Sequence, residues 1–140
     1  MAAIDLNDVR QTIEERVNAE LKKAPVVPVL FNNVPYTPSA DSWVQCLVNF
    51  GANNYLTLGG TTGSANMIDG VVVFNIFSPI GTGSGENIEI ATRLRDLFNR
   101  VIVSGLYFDA AAGPDIQPVS SPQNYFQSQI RITFETVEQL

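Results

Sequence analysis

Apolar residues recur at three- and four-residue steps from Ile4 through Leu6, Val9, Ile13 and Val17 to Leu21, forming one stripe about a face wide. This spacing predicts an amphipathic helix over residues 5–23, packed on a sheet with its charged side in water. Asp5 is placed as the N-cap. Asp8 falls in the first turn and Lys22-Lys23 in the last, each sign opposing the helix dipole. Glu14, Glu15 and Glu20 lie on the outer face as solvated charge, and Pro25 stops the helix. The period then changes. Val26 to Phe31 is short, apolar and β-branched, a strand in which Pro28 suits an edge position. Asn32 to Ser39 is a loop held extended by two prolines. Ser42 to Phe50 reads as the next strand, with Trp43 in the core, and Asn53 to Leu58 continues as its pair through a turn at Gly51-Ala52. Gly59 to Ser64 is a hairpin tip.

Met67 to Ser78 is the longest strand, with Val72, Phe74 and Ile76 opposing Val71, Val73 and Phe77. Apolar residues on both sides predict a central strand covered on each face. The glycine loop Pro79-Ile-Gly-Thr-Gly-Ser-Gly85 leads into a second amphipathic helix, Glu86 to Arg100, with Ile90, Ala91, Leu94, Leu97, Phe98 and Val101 inward. Ser104-Gly105 breaks that pattern before Leu106 to Phe108, Ala110 to Pro114 is a loop, and Asp115 to Val119 is a short strand. From Tyr125 to Val137, Phe126, Ile130, Ile132 and Phe134 alternate with Gln127, Gln129, Arg131, Thr133 and Glu135, so one face meets the core and the other stays polar. The order predicts an α+β fold, a single domain over residues 1–140. Its sheet is mostly antiparallel (mixed), with the two amphipathic helices packed on it.

Composition narrows the function classes. A chain of 140 residues buries roughly 70% of its unfolded surface, enough for a core without disulfides or metals. Its charged fraction of 16% is below the usual ~25%, and Asn, Gln, Ser and Thr make up the difference. Such a surface suits protein–protein contact, where charge is depleted at the centre. The net charge is −6 and the one basic cluster is Lys22-Lys23, so the electrostatic footprint of a nucleic-acid groove is missing. The N-terminus has no signal-like pattern and no run approaches the ~20 apolar residues of a membrane span. A soluble protein made in a cytoplasm, with no membrane partner, is expected. Cys46 is the one cysteine, and it reads as a packed thiol.

There is no histidine, which removes Ser-His-Asp and Cys-His chemistry, His-ligated metals and the commonest general acid–base. The strand–glycine loop–helix unit resembles a phosphate site in outline, but it has neither a Lys nor a third packing glycine, whose place is taken by Glu86. It reads instead as a strand-to-helix corner capped by Ser84. Asp109 and Asp115 read as turn caps rather than an acid–base pair. Tyr36 and Tyr125 are either half-buried tyrosines or interface anchors.

The order of these motifs resembles one known family. An amphipathic helix and a strand lead into Asn33-Val-Pro-Tyr-Thr-Pro38. An apolar strand opened by Trp43 and a long strand ending Phe77-Ser-Pro-Ile-Gly-Thr-Gly-Ser-Gly85 follow. A helix with Ala91, Leu94 and Leu97-Phe98 and an alternating last strand complete the chain. This is similar to the tail-terminator (tail-completion) proteins of long-tailed bacteriophages, the phage lambda type. The glycine loop departs from the lysine that members often carry there, with Thr82 and Ser84 instead. The resemblance implies a structural subunit of the virion tail or neck, assembled in the host cytoplasm, with no catalysis, cofactor or metal. It implies a homohexameric ring that stops growth of the tail tube and provides the head-joining surface. Its partners would be further copies of itself, the tail-tube protein and a head–tail connector or neck protein. Double-stranded DNA would pass the lumen without specific binding. Gly59, Gly60, Thr61, Thr62, Gly63, Gly81, Thr82, Gly83, Ser84, Gly85, Tyr36 and Tyr125 are the expected interface residues. Other readings are a head-completion or stopper protein, a tail-tube subunit, or a small nucleotide-binding protein.

Overall fold

A computed structural model describes residues 5–31, 42–55, 65–79, 84–117 and 125–139. In chain order the elements are α1 (Leu6–Leu21), β1 (Val29–Leu30), β2 (Trp43–Tyr55), β3 (Ala65–Pro79), α2 (Gly85–Phe98), β4 (Ile102–Val103), β5 (Leu106–Phe108), β6 (Ala112–Gln117) and β7 (Tyr125–Gln139). The strands form one sheet in the order β1-β2-β3-β7-β5-β4, and β6 also pairs with β7. All pairings are antiparallel except β1 with β2, so this is the mixed, mostly antiparallel α+β fold that the patterning predicts. β1 lies at the end of the strand order, the edge position that Pro28 suggests.

α1 forms as its stripe requires, with Val9, Ile13, Val17 and Leu21 buried. The Asp5 side chain accepts from the Asn7 N–H at 2.9 Å, and its carbonyl accepts from Asp8 and Val9. The helix ends at Leu21, two residues short of the predicted bound, so Lys22 is the C-cap and no basic residue lies in the last turn. Its final carbonyls are met from elsewhere, as described below.

β2 is continuous where a turn was expected at Gly51-Ala52. The register slips between Phe50 and Asn53, so one extra residue is absorbed as a bulge and the strand runs on. β6 likewise starts earlier than expected, at Ala112. Its register against β7 shifts between Ala112 and Asp115, and Gly113 takes φ 103. A bulge at a sheet margin is where a strand tolerates Pro114. The Ser104-Gly105 break is a tight hairpin turn with φ 48 and 80, the positive pair that joins β4 to β5 with the right twist.

β3 departs from the two-sided burial expected of it. Ile68, Val72, Phe74 and Ile76 are buried, but Met67, Val71 and Val73 are half-buried, and both sides close only from Phe74 to Ser78. The reason lies in the layering. The α1 and α2 stripes join the inward residues of β2, β3 and β7 in one cluster, from Ile13 and Leu94 to Phe74, Ile132 and Phe134. Both helices therefore cover the same face. Trp43 is buried as expected but on the other face, stacked on Phe77 with ring centroids 4.2 Å apart. Gly70 is needed on the core side, since a Cβ there would overlap the Phe134 ring and lie 2.8 Å from the Asn49 carbonyl. β7 behaves as its alternation demands, with Ile130, Ile132 and Phe134 inward and Arg131 and Thr133 exposed.

Candidate docking surface

The corner between β3 and α2 is held by a buried polar cluster. Asn87 is fully buried in the first turn of α2. Its amide donates to the Ile76 carbonyl at 3.0 Å, the Ser78 hydroxyl at 3.2 Å and the Phe126 carbonyl at 3.2 Å. Its oxygen accepts a short hydrogen bond from the Ser128 hydroxyl. Ser42 at the head of β2 donates to Ser78 at 3.0 Å. One side chain thus ties the helix start to β3, β7 and, through Ser78, β2. Ser84 occupies the N-cap position, and its carbonyl accepts from Ile88 at 3.0 Å, but its side chain makes no capping bond, contrary to the expected role. Its backbone sits at φ −94, ψ −7, and the anchoring falls to Asn87 instead.

Asn87 was legible as an anomaly. It stands three residues before Ile90 and four before Ala91, on the apolar stripe where a polar side chain needs a buried partner. The outer face of the sheet holds a second polar system. Asn75 donates to Gln45 at 3.0 Å and accepts from Gln129 at 2.9 Å and Gln127 at 3.2 Å, and Arg131 donates to Gln129 at 3.1 Å. This ladder crosses β2, β3 and β7, so the polar side of β7 is organised by neighbours as well as by solvent.

Of the twelve expected interface residues, Ser84 and Gly85 lie at this corner, both exposed, and the backbone of Tyr125 pairs with Pro79 beside it. Tyr36, Gly59, Gly60, Thr61, Thr62, Gly63, Gly81, Thr82 and Gly83 lie outside the described residues. The attachment points of the two glycine segments are nonetheless defined. β3 begins at Ala65, after the first segment, and ends at Pro79, before the second. At ~3.3 Å per residue, these ends are on the order of 45 Å apart.

The helices lock each other at their C-terminal ends. Arg16 of α1 donates to the Leu97 carbonyl at 3.1 and 2.9 Å and lies 5.7 Å from the Phe98 ring centroid. Arg93 of α2 donates to the Glu20 carbonyl at 2.7 Å and the Pro25 carbonyl at 2.7 Å, with the Glu20 carboxylate 3.4 Å away. Cys46 is buried, and desolvation together with the nearby Glu14 charge pushes its thiol well above the ordinary range, so it is no nucleophile. Among the described residues no group of His, Cys, Asp or Glu is placed to hold a metal, and no helix is long and apolar enough to cross a membrane.

The class that follows is a two-layer α+β subunit, with two helices on one face of a sheet whose long central strand carries a glycine-bearing segment at each end. The family model for phage tail terminator proteins matches residues 8–134, and the chain belongs to that family. Its role is accordingly structural, in the tail of a bacteriophage. One solved structure superposes with a TM-score of 0.71 at 20% identity, covering 96% of this chain and 96% of the other, a likeness that shows the fold. No curated protein matches the sequence.

Proposed function

We propose that this chain, acting as one unit over residues 1–140, caps the head-proximal end of the tail tube as a ring of six copies, stops tube growth and presents the head-joining surface. The observation that carries this reading is the placement of the two glycine segments at opposite ends of β3. A subunit so built can meet the tube at one end and a connector or neck protein at the other. The buried Asn87 cluster supports it by giving the Gly81–Gly85 segment a rigid stem. Tyr125 stands at that same stem, and Tyr36 and Gly59–Gly63 complete the proposed contacts. The ring belongs to the virion neck, is assembled in the host cytoplasm and passes double-stranded DNA without binding it. The work needs no cofactor.

Removing the gene from its phage tests this directly. Electron microscopy is expected to show tails of uncontrolled length and free heads, with the intact gene supplied in trans restoring both. Tails of normal length joined to heads would overturn the proposal. A head-completion or stopper role predicts tails of normal length left unjoined. A tube subunit predicts no tube at all.

A further inference from the structure

Two features of the described sheet lie at its opposite edges and on one transverse row. At the β4 edge, Ile102 and Tyr107 are cross-strand partners with their side chains in solvent, 66% and 48% exposed. The two side chains stand side by side, so they form one open apolar patch rather than two scattered residues. Arg100, exposed two residues earlier, makes no ion pair among the described residues. Where β2 runs on beyond its pairing with β1, the bulge opens a cavity of about 240 Å³ lined by Asn49, Phe50, Gly51, Asp69, Gly70 and Val71. Asp69 on its rim is half-buried and likewise makes no ion pair among the described residues. The row is continuous. Asp69 pairs with Glu135, Glu135 with Tyr107 and Tyr107 with Ile102, so knob and cavity share one level and one face of the sheet.

We infer that the occupant of the bulge cavity is the Ile102–Tyr107 pair of a second copy of this chain, with Arg100 of that copy against Asp69. Knob and cavity are different patches, so the contact is head-to-tail, and it repeats. Such a repeat closes as a ring where the rotation between copies closes and grows as a filament where it does not, and the ring reading above requires closure. The cavity carries an acid, Asp69, on its rim, and the knob has a base, Arg100, two residues from Ile102, so the two charges are complementary, with the half-buried Glu135 between them on the row. This inference rests on the ring reading above and names the surfaces that would build it.

Sedimentation of the full-length chain over a range of concentrations tests it, with thermal melting as the check on folding. Ile102→Asp is expected to weaken self-association about tenfold or more, as loss of an interface anchor does. Arg100→Glu and Asp69→Lys each weaken it several-fold, and the chain carrying both recovers most of the loss because the charge pair is restored in reverse. Single variants that associate like the parent, a double variant that shows the two losses added, or a parent that never associates would each overturn the contact. Should Ile102→Asp fail to fold, the charge exchange decides alone. Tail length in the gene-deletion experiment is a separate readout. Normal capping by all three single variants removes this contact and leaves the ring reading standing.

Discussion

Asn87 satisfies two backbone carbonyls and two hydroxyls, so its replacement by leucine leaves several polar groups buried without partners. Asn87→Leu is expected to lower unfolding stability by about 2–3 kcal/mol, measured by urea denaturation, although leucine is the better helix former and suits the stripe. Cys46 makes a prediction in pH. Burial raises its thiol far above the ordinary value of 9.0, so the folded chain keeps a proton that the unfolded chain releases above that pH. The unfolded state then binds fewer protons, and stability falls as pH rises beyond 9.0. Denaturation across the alkaline range should show this fall, shallower in Cys46→Ala. A thiol reagent should react with the parent only on unfolding.

At the scale of elements, period identified both helices and β7 from single residues. The alternation of β7 was correct because one side of it meets the core and the other does not. The bulge in β2 looks like a turn in the sequence because Gly-Ala suits both, and only pairing with β3 on each side distinguishes them. The end of α1 is hidden from the sequence for a related reason. Lys22 and Lys23 looked like the charges that close α1, yet Arg93, from α2, donates to its end. Arg93→Met, which keeps the stem but loses these bonds, is expected to cost about 1–3 kcal/mol in thermal or urea unfolding. Arg93→Lys should recover little of it, because an ammonium cannot span the Glu20 and Pro25 carbonyls as the planar fork does.

At the scale of the whole molecule, the layers divide the charge. Arg131 is the one base in the described strands, which also carry Asp69, Asp115, Glu135 and Glu138, while the other bases lie on or beside the helices. Asp69, Asp115 and Glu135 share with Arg131 and the amide ladder the sheet face opposite the helices, so that face is amide-rich with an excess of acid. The two glycine segments join β3 at its ends, outside the elements that form the core, so the proposed docking can be tested apart from folding. Replacing Gly81–Gly83 with a short rigid turn is expected to shift the melting temperature by only a few degrees while abolishing head joining in a complementation assay. A variant that melts as the parent and joins heads normally would remove that segment from the docking surface.

The sequence by itself determined the kind and order of the elements, the inward side of α1, α2 and β7, the absence of histidine chemistry and the resemblance that the family match bears out. These are local properties, written in the period of a few residues or in composition. The tertiary structure decided which face of β3 the helices leave open, that Trp43 packs away from the main core, and that Asn87 joins Ser78 and Ser128 across 9 and 41 positions of chain. It also placed the Ile102–Tyr107 pair and the β2 bulge on one row. No local pattern encodes such partners, because what covers a residue depends on how distant segments stack, and period says only which way a side chain points.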